Sequence, residues 1–339
     1  MIRPEIVESV SKVLAIILDD SHKEDYTPWF WRYYGNLVHR DHLLRLLREM
    51  DDDFALARFD PTGKTILDAG CGFGIQCLIM RLMGSREVHG IDVSQSVIET
   101  FEKLLKILPS IEKIYPKTGD VAKAGYPDSS FDLVWSNEAI SHYYDIPDFL
   151  RETYRMLKPG GTLFISDSNN GANPYLRWQI YRFWDRLENG PQGTIHGHTV
   201  TVLLREMRAC IVREAFPDFK EEEVESLAAG TFGRTKEEVL DACRLYKENG
   251  AWPKSYYRYG IPPLEPNTGS YIERLICPSE LTKLLQETGF KCRVYGYLGG
   301  AGGNSIIRAV NRIVEALSPL TWPAGRGLKI VAVKPTSVR

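Results

Sequence analysis

The sequence predicts an α/β fold: a Rossmann-like, mostly parallel seven-stranded sheet with helices on both faces, an N-terminal helical lid and a large cap inserted after the fifth strand. Three observations carry this expectation. Thr65-Ile66-Leu67-Asp68-Ala69 is an apolar run of strand type, Gly70-Cys71-Gly72-Phe73-Gly74 turns the chain, and Ile75 to Met83 repeats apolar residues at helical spacing. A second run, Glu87 to Ile91, ends on Asp92. Helical and strand-like segments then alternate as far as Ser166, the order of a parallel sheet with crossover helices.

Taken in order, Pro4 to Leu18 and His39 to Met50 have helical periodicity and enclose the aromatic stretch Tyr26 to Gly35. Asp51-Asp52-Asp53 reads as a solvated helix end, because three adjacent carboxylates cannot all face one ion from a regular element. Pro61 to Lys64 turns into the first strand, and a helix over 95–108 and a strand near 113–117 follow Asp92. Phe131 to Ser136 is the fourth strand, Pro147 to Met156 a helix, and Lys158-Pro159-Gly160-Gly161 turns into the fifth strand over 162–166. Residues 171–275 exceed what a crossover needs; helices are expected over 203–216, 221–229 and 236–248, the last capped by Thr235. Ser279 caps a helix over 280–288, and strands at 291–297 and 329–333 close the sheet. Gly299 to Gly303 reads as flexible, and the amphipathic helix expected over 306–317 sets Arg308, Arg312 and Glu315 on its polar side and packs on the sheet, with membrane docking as the rival reading. The organisation expected is a lid at 1–60, a core at 61–170, a cap at 171–275 and a core-completing segment at 276–339.

At 339 residues with a net charge of −2, the chain offers no basic field for a phosphate backbone, which argues against nucleic acid. No apolar stretch approaches the ~20 residues that span a bilayer, and no cleavable leader is evident, so a cytoplasmic protein is expected. The six cysteines form no C-x-x-C pair and read as buried, reduced thiols.

The glycine loop is where chemistry enters. A backbone free of Cβ lets a ligand approach the first N–H groups of the helix that follows. The dinucleotide fingerprint would place its third glycine at Ile75, and no Lys-Ser/Thr pair follows, so NAD, FAD and nucleoside triphosphates are disfavoured. Asp92, ending the second strand, can accept hydrogen bonds from both hydroxyls of a ribose.

With these residues the chain resembles the class I S-adenosylmethionine-dependent methyltransferases. The resemblance rests on Asp68 to Gly74, Gly90-Ile91-Asp92-Val93-Ser94, Gly119-Asp120-Val121, Phe131 to Ser136 and Leu157 to Leu163, and it covers roughly 60–168 well. It points toward the small-molecule branch of tocopherol, sterol, phosphobase and alkaloid N-methyltransferases. It implies that Asp68, Gly70, Gly72, Gly74, Asp92, Val93, Ser136 and Asn137 hold S-adenosylmethionine, with Asp120 on the adenine amine and Val121 on its ring. It also implies that Tyr33 and Tyr34 fold over the methyl, core packing being the other reading of the aromatic stretch.

If Ser136 to Asp145 begins a helical turn, Glu138 and His142 share one face, and the carboxylate can fix the imidazole tautomer for a base. The alternative is a structural bond from His142 to a downstream loop such as Asp145. Tyr143, Asn169, Trp178, His196 and Tyr256 are candidates to face the acceptor. His196-Gly197-His198 lacks an identifiable third ligand, and a catechol-type Mg²⁺ site would need a carboxylate where Ser136 or Asn137 stands, so no metal is expected. The expected activity is methyl transfer to an oxygen, next a nitrogen, of a small aromatic or apolar metabolite, leaving S-adenosylhomocysteine. The rivals are transfer to a lipid-linked sugar or isoprenoid at a membrane, and a non-catalytic S-adenosylmethionine-binding partner or sensor. Oligomeric state is open, a homodimer included.

Overall fold

The structure, a computed structural model, describes residues 3–300 and 304–336. The glycine run expected to be flexible thus lies outside the described residues from 301 to 303. Three N-terminal helices, α1 (Pro4–Ile17), α2 (Pro28–Tyr34) and α3 (Arg40–Ala57), precede β1 (Thr65–Ala69), α4 (Ile75–Leu82), β2 (Glu87–Asp92), α5 (Gln95–Lys106) and β3 (Ile114–Thr118). Then come β4 (Phe131–Asn137), α6 (Ile146–Met156) and β5 (Leu157–Asp167). The inserted segment holds α7 (Pro174–Asn189), a hairpin of β6 (Gly193–Ile195) and β7 (His198–Val200), and α8 (Leu204–Ala215), α9 (Glu221–Gly230) and α10 (Lys236–Asn249). The chain finishes with α11 (Pro278–Thr288), β8 (Lys291–Tyr297), α12 (Ser305–Ala316) and β9 (Gly327–Val333).

The chain forms two compact units. One comprises Met1–Ile140, Asp145–Ser168 and Pro278–Arg339, the other Ser141–Tyr144 and Asn169–Cys277. The first carries a seven-stranded sheet in the order β3-β2-β1-β4-β5-β9-β8, with β1 to β5 parallel and β9 antiparallel to both neighbours. Strand order reverses between β1 and β4, the switch point at whose C-terminal edge open α/β sheets bind ligands. All five residues of β1 are buried, as a strand covered on both faces requires. The N-terminal helices share this core: Phe30, Leu43, Leu47 and Phe54 pack in one cluster with Ile66, Phe73 and Trp135. In the second unit, Leu176, Ile180, Phe183 and Trp184 of α7 pack with Val200 and Leu204, and α8 to α10 form a cluster of their own. A buried Arg208–Glu188 ion pair joins α8 to α7 there, and the Arg208 Nε donates to the Ala228 carbonyl of α9 at 2.8 Å.

Two short-range expectations missed elements. Thr27 and Pro28 start α2, and Asn173 and Pro174 start α7, each with a side-chain cap and proline in the first turn; the aromatic content of both segments hid their helical period. Three longer-range expectations need correction. The aspartate run is no solvated helix end: α3 runs on past it, Asp53 is 1% exposed, and Lys329 of β9 lies 2.8 Å from its carboxylate. Only Cys71, Cys77 and Cys243 are buried, whereas Cys277 and Cys292 are half-buried and Cys210 is exposed, although none of the six forms a disulfide. Finally, α12 packs against β8 of the sheet as expected, but by its polar side, Arg308 donating to both Asp52 oxygens (2.7 and 2.5 Å) and Glu315 lying 3.4 Å from Lys329, while most of its apolar side chains stay exposed. No helix among the described residues is long and apolar enough to cross a membrane.

Candidate active site

The glycine loop is built as the spacing of its residues requires. Gly70 and Cys71 donate to the Ile91 carbonyl at 2.8 and 3.1 Å, which ties the end of β1 to the end of β2. Gly72, at φ 52°, donates its N–H to Asp92 Oδ2 at 3.0 Å, and Ser94 donates to Asp92 Oδ1 at 2.9 Å. Both carboxylate oxygens are thereby aimed by backbone N–H groups. A Cβ built on Gly72 would meet no atom within 4 Å, so the space over the loop is open. Gly74 differs: at φ 77° its Cβ would fall 2.1 Å from the Phe101 ring, so this position is glycine for packing.

Asp68 lies beneath the loop, buried, and accepts from the Cys77 thiol at 3.2 Å. Burial pushes its carboxyl up to about 7, Asp92 adds to the shift, and the thiol bond opposes it. Over the loop, the rings of Phe30 and Tyr34 meet Phe73 edge-on, with centroids at 5.5 and 6.1 Å. The Tyr34 hydroxyl is raised by burial and then by the charge of Asp68, which places the two groups in one electrostatic neighbourhood. Tyr33 is exposed and stacks on Trp29, so only the second tyrosine of the expected pair meets the loop. Farther along, Asp120 caps a single turn by accepting from Ala122 at 2.9 Å, Val121 is buried beside it, and Val93 is exposed. Ser136 is buried at the end of β4, and Asn137 pairs in register with Ser166.

The stretch after β4 does not form the helical turn that would set Glu138 and His142 on one face. Glu138 takes a left-handed φ of 50°, and a short 3₁₀ turn follows at Ile140–His142. The Glu138 carboxylate accepts from the Ser168 N–H at 3.1 Å and its hydroxyl at 2.6 Å. His142 Nδ1 is 2.9 Å from the Tyr271 carbonyl. That oxygen can only accept, so Nδ1 carries the proton and Nε2 presents its lone pair. The tautomer is therefore set by a backbone carbonyl and not by Glu138, and the downstream loop that His142 bonds is the one at Tyr271 and not the one at Asp145.

The segment 271–276 acts as a strap within the second unit. Tyr271 N–H donates to the His142 carbonyl (3.1 Å), Arg274 N–H to that of Ser141 (3.3 Å), the Arg274 guanidinium to that of Tyr143 (2.5 Å), and Ile276 N–H to that of Asn169 (2.8 Å). The Asn169 amide donates to Glu273 at 2.7 Å, and Glu273 holds a left-handed φ of 49° to meet it. Of the proposed acceptor-facing residues, Tyr143 and Asn169 are gathered here with His142. Trp178 and His196 form a second group, ring centroids 4.9 Å apart, with Arg182 over the Trp178 ring and Tyr175 stacked beside it. His198 instead stacks on Phe183 at 4.3 Å, and Tyr256 is exposed. Sequence reasoning missed Tyr271, Glu273 and Arg274, whose only local signal is an arginine and a glutamate just before the core pattern restarts at Ile276.

Residues 67–165 match the family described as methyltransferase domain. The chain is 33% identical over 126 residues to 2-methyl-6-phytyl-1,4-hydroquinone methyltransferase of Synechocystis sp., covering 37% of this chain and 38% of that protein. It is 36% identical over 106 residues to phosphoethanolamine N-methyltransferase 3 of Arabidopsis thaliana, covering 31% and 21%. Against ubiquinone biosynthesis O-methyltransferase of Pseudomonas putida it is 34% identical over 119 residues, covering 35% and 50%. The chain thus spans between 21% and 50% of the length of these relatives.

Proposed function

We propose, from the premise that residues 67–165 are a class I S-adenosylmethionine-dependent methyltransferase domain, that this protein transfers the cofactor's methyl to an oxygen, or next a nitrogen, of a small aromatic or apolar metabolite. The observation that carries the reading is the Gly72–Asp92 hydrogen bond beneath an open loop. The residues present fit the cofactor. Asp92 offers an aimed carboxylate to a ribose diol, and a cation such as the cofactor's ammonium would return Asp68 to its charged form. Asp120 and Val121 are assigned to adenine, and Gly70, Val93, Ser136 and Asn137 to the rim.

The bound cofactor supplies a methyl made electrophilic by its sulfonium. What remains for the chain is to align the acceptor, exclude water and accept a proton. Phe30, Phe73 and Tyr34 supply apolar cover on the loop, and His142 Nε2 is the proton acceptor we assign. Glu138, engaged by Ser168, is assigned to hold the turn between β4 and His142. Trp178, His196 and Tyr256 are assigned to the acceptor, and the hydroquinone, phosphoethanolamine and ubiquinone-pathway relatives support a small molecule without selecting its methylated atom.

Calorimetry with S-adenosylhomocysteine, followed by methyl transfer from S-adenosylmethionine to panels of phenols and amines, tests this. Asp92→Ala should weaken cofactor affinity by about 100-fold, the scale of losing charge-assisted bonds. His142→Ala should leave that affinity intact and slow turnover by about 10²- to 10⁴-fold. Folded protein with no affinity for either form of the cofactor overturns the proposal; binding without product across both panels favours the sensor.

A further inference from the structure

The helix α12 is amphipathic in the reverse of the usual sense. Ile306, Val310, Ile313 and Leu317 follow the three-and-four spacing of one helix face, and a core-facing stripe would bury them. Instead Ile306 is 71% exposed and Ile313 60%, and Leu320, in the turn that continues the stripe, is 85% exposed. The inward face is polar. Arg308 is held by Asp52, Glu315 lies against Lys329, and Asn311 accepts from Leu298 N–H at 2.9 Å and donates to the Gly299 carbonyl at 3.2 Å. These contacts fix the helix with its apolar side outward, and among the described residues nothing covers it. An apolar stripe of this kind marks an interaction surface.

Charge selects the occupant. Glu315 is the sole acidic residue between Asn304 and Gly327, and it is turned inward against Lys329. The exposed charges beside the stripe are guanidinium groups: Arg312 on α12, 71% exposed although it lies 3.5 Å from the Asp52 carboxylate that Arg308 also holds, and Arg326, whose side chain runs close to Gly299 while Ile307 runs close to Gly300. A second copy docking face to face would bring these cations together, the Asp52 carboxylate being already shared between Arg308 and Arg312 and Glu315 being turned inward. Anionic headgroups around an apolar interior complement both features. We infer that α12 and the turn through Leu320 dock this protein on an anionic lipid surface, lying in the interface without crossing it. This inference goes beyond the methyl-transfer reading and does not depend on it.

The test is co-sedimentation of the full chain with vesicles of phosphatidylcholine alone or mixed with phosphatidylglycerol. The expected result is at least a tenfold higher bound fraction on the mixed vesicles, reduced by added salt. Leu320→Asp and the double change Ile313→Asp with Leu317→Asp should abolish binding while affinity for S-adenosylhomocysteine stays at the wild-type value; Arg312→Glu should remove the preference for the anionic vesicles. Leu320 makes no core contact, so its variant keeps the test intact if the double variant fails to fold. Wild-type protein left in the supernatant with both vesicle types overturns the inference. So does undiminished pelleting of the variants, or a wild-type dimer that Leu320→Asp converts to monomer, which would give the stripe to a second copy.

Discussion

In the glycine loop the decisive hydrogen bond joins Gly72 to Asp92, 20 residues apart, whereas the carbonyl that orients His142 belongs to Tyr271, 129 residues further along the chain. The loop is also self-sufficient: β1, its glycines and β2 are neighbours in sequence and in the sheet, so their backbone pairing alone brings Asp92 beneath Gly72. The histidine has no such local support. Its tautomer depends on a strap that returns from the far end of an insertion, and the strap in turn depends on Glu273 holding a backbone conformation that a glutamate seldom adopts. Chemistry closed over a short span can be carried by a motif, while chemistry closed over a long one depends on the fold of everything between.

The largest effect expected comes from separating the two uses of glycine within the loop. Gly74→Ala places a methyl 2.1 Å from the Phe101 ring at a φ of +77°, and left-handed strain plus overpacking should cost about 2–5 kcal/mol in urea denaturation. Gly72→Ala meets no atom within 4 Å, so it should cost only about 1 kcal/mol of backbone strain yet weaken S-adenosylhomocysteine binding severely. A Gly72→Ala protein that binds as tightly as wild type would mean that the open space over Gly72 is not where the cofactor lies.

That contrast also marks what was legible. Asp68, the three loop glycines and Asp92 announce themselves because the strand, turn and strand that carry them have distinct local periods. The seven-strand alternation was readable for the same reason, including the return of the pattern at Ile276. Three things were not readable. Lys329 neutralises Asp53 from a strand 276 positions away, so no local feature marks that aspartate as buried. The amphipathic period of α12 gives the direction of its moment and is silent on which side meets the protein; the partners that decide it, Asp52 and Lys329, lie elsewhere in the sequence. Glu138 and His142 have helical spacing, but Glu138 accepts from Ser168 after β5, and its left-handed backbone ends any helix there.

A second test of the loop uses its buried acid. Asp68 is raised from 3.8 to about 7 in the folded state, so between these pH values the native protein binds a proton that the unfolded chain has released. Its contribution to stability is fully present below about pH 4 and is lost as pH rises through 7, a swing of at most about 4 kcal/mol. Asp53, also raised to about 7 by burial, titrates over the same window, so the quantity to measure is the difference in unfolding free energy between wild type and Asp68→Asn as pH rises from 5 to 8. That difference should grow in favour of the variant, and saturating S-adenosylmethionine should shrink the wild-type decline. A difference that stays level across the window would mean that Asp68 is not held protonated.

The smallest effect falls on the strap, where two opposing terms nearly balance. Glu273 accepts from the Asn169 amide at 2.7 Å, a bond to a charged acceptor that contributes about 1.5–3 kcal/mol, and it does so at a φ of 49°, which costs a side-chain-bearing residue about 1–2 kcal/mol. Glu273→Ala removes the bond and keeps the strain, whereas Glu273→Gly removes both. The glycine variant should therefore be the more stable of the two by roughly 1 kcal/mol in thermal or urea unfolding, even though glycine normally loses to alanine through its unfolded-state entropy. Because His142 reaches the strap through the Tyr271 backbone and not through Glu273 itself, both variants should keep cofactor affinity and lose less than about tenfold in turnover, far short of His142→Ala. If Ala proves the more stable by the roughly 0.5–1 kcal/mol it ordinarily holds over Gly, the left-handed backbone at 273 is not strained and the bond to Asn169 is the whole of what Glu273 contributes. If either variant slows turnover as much as loss of the imidazole does, the strap is part of the machinery that sets the histidine, and the long-range site is as tightly specified as the short-range one.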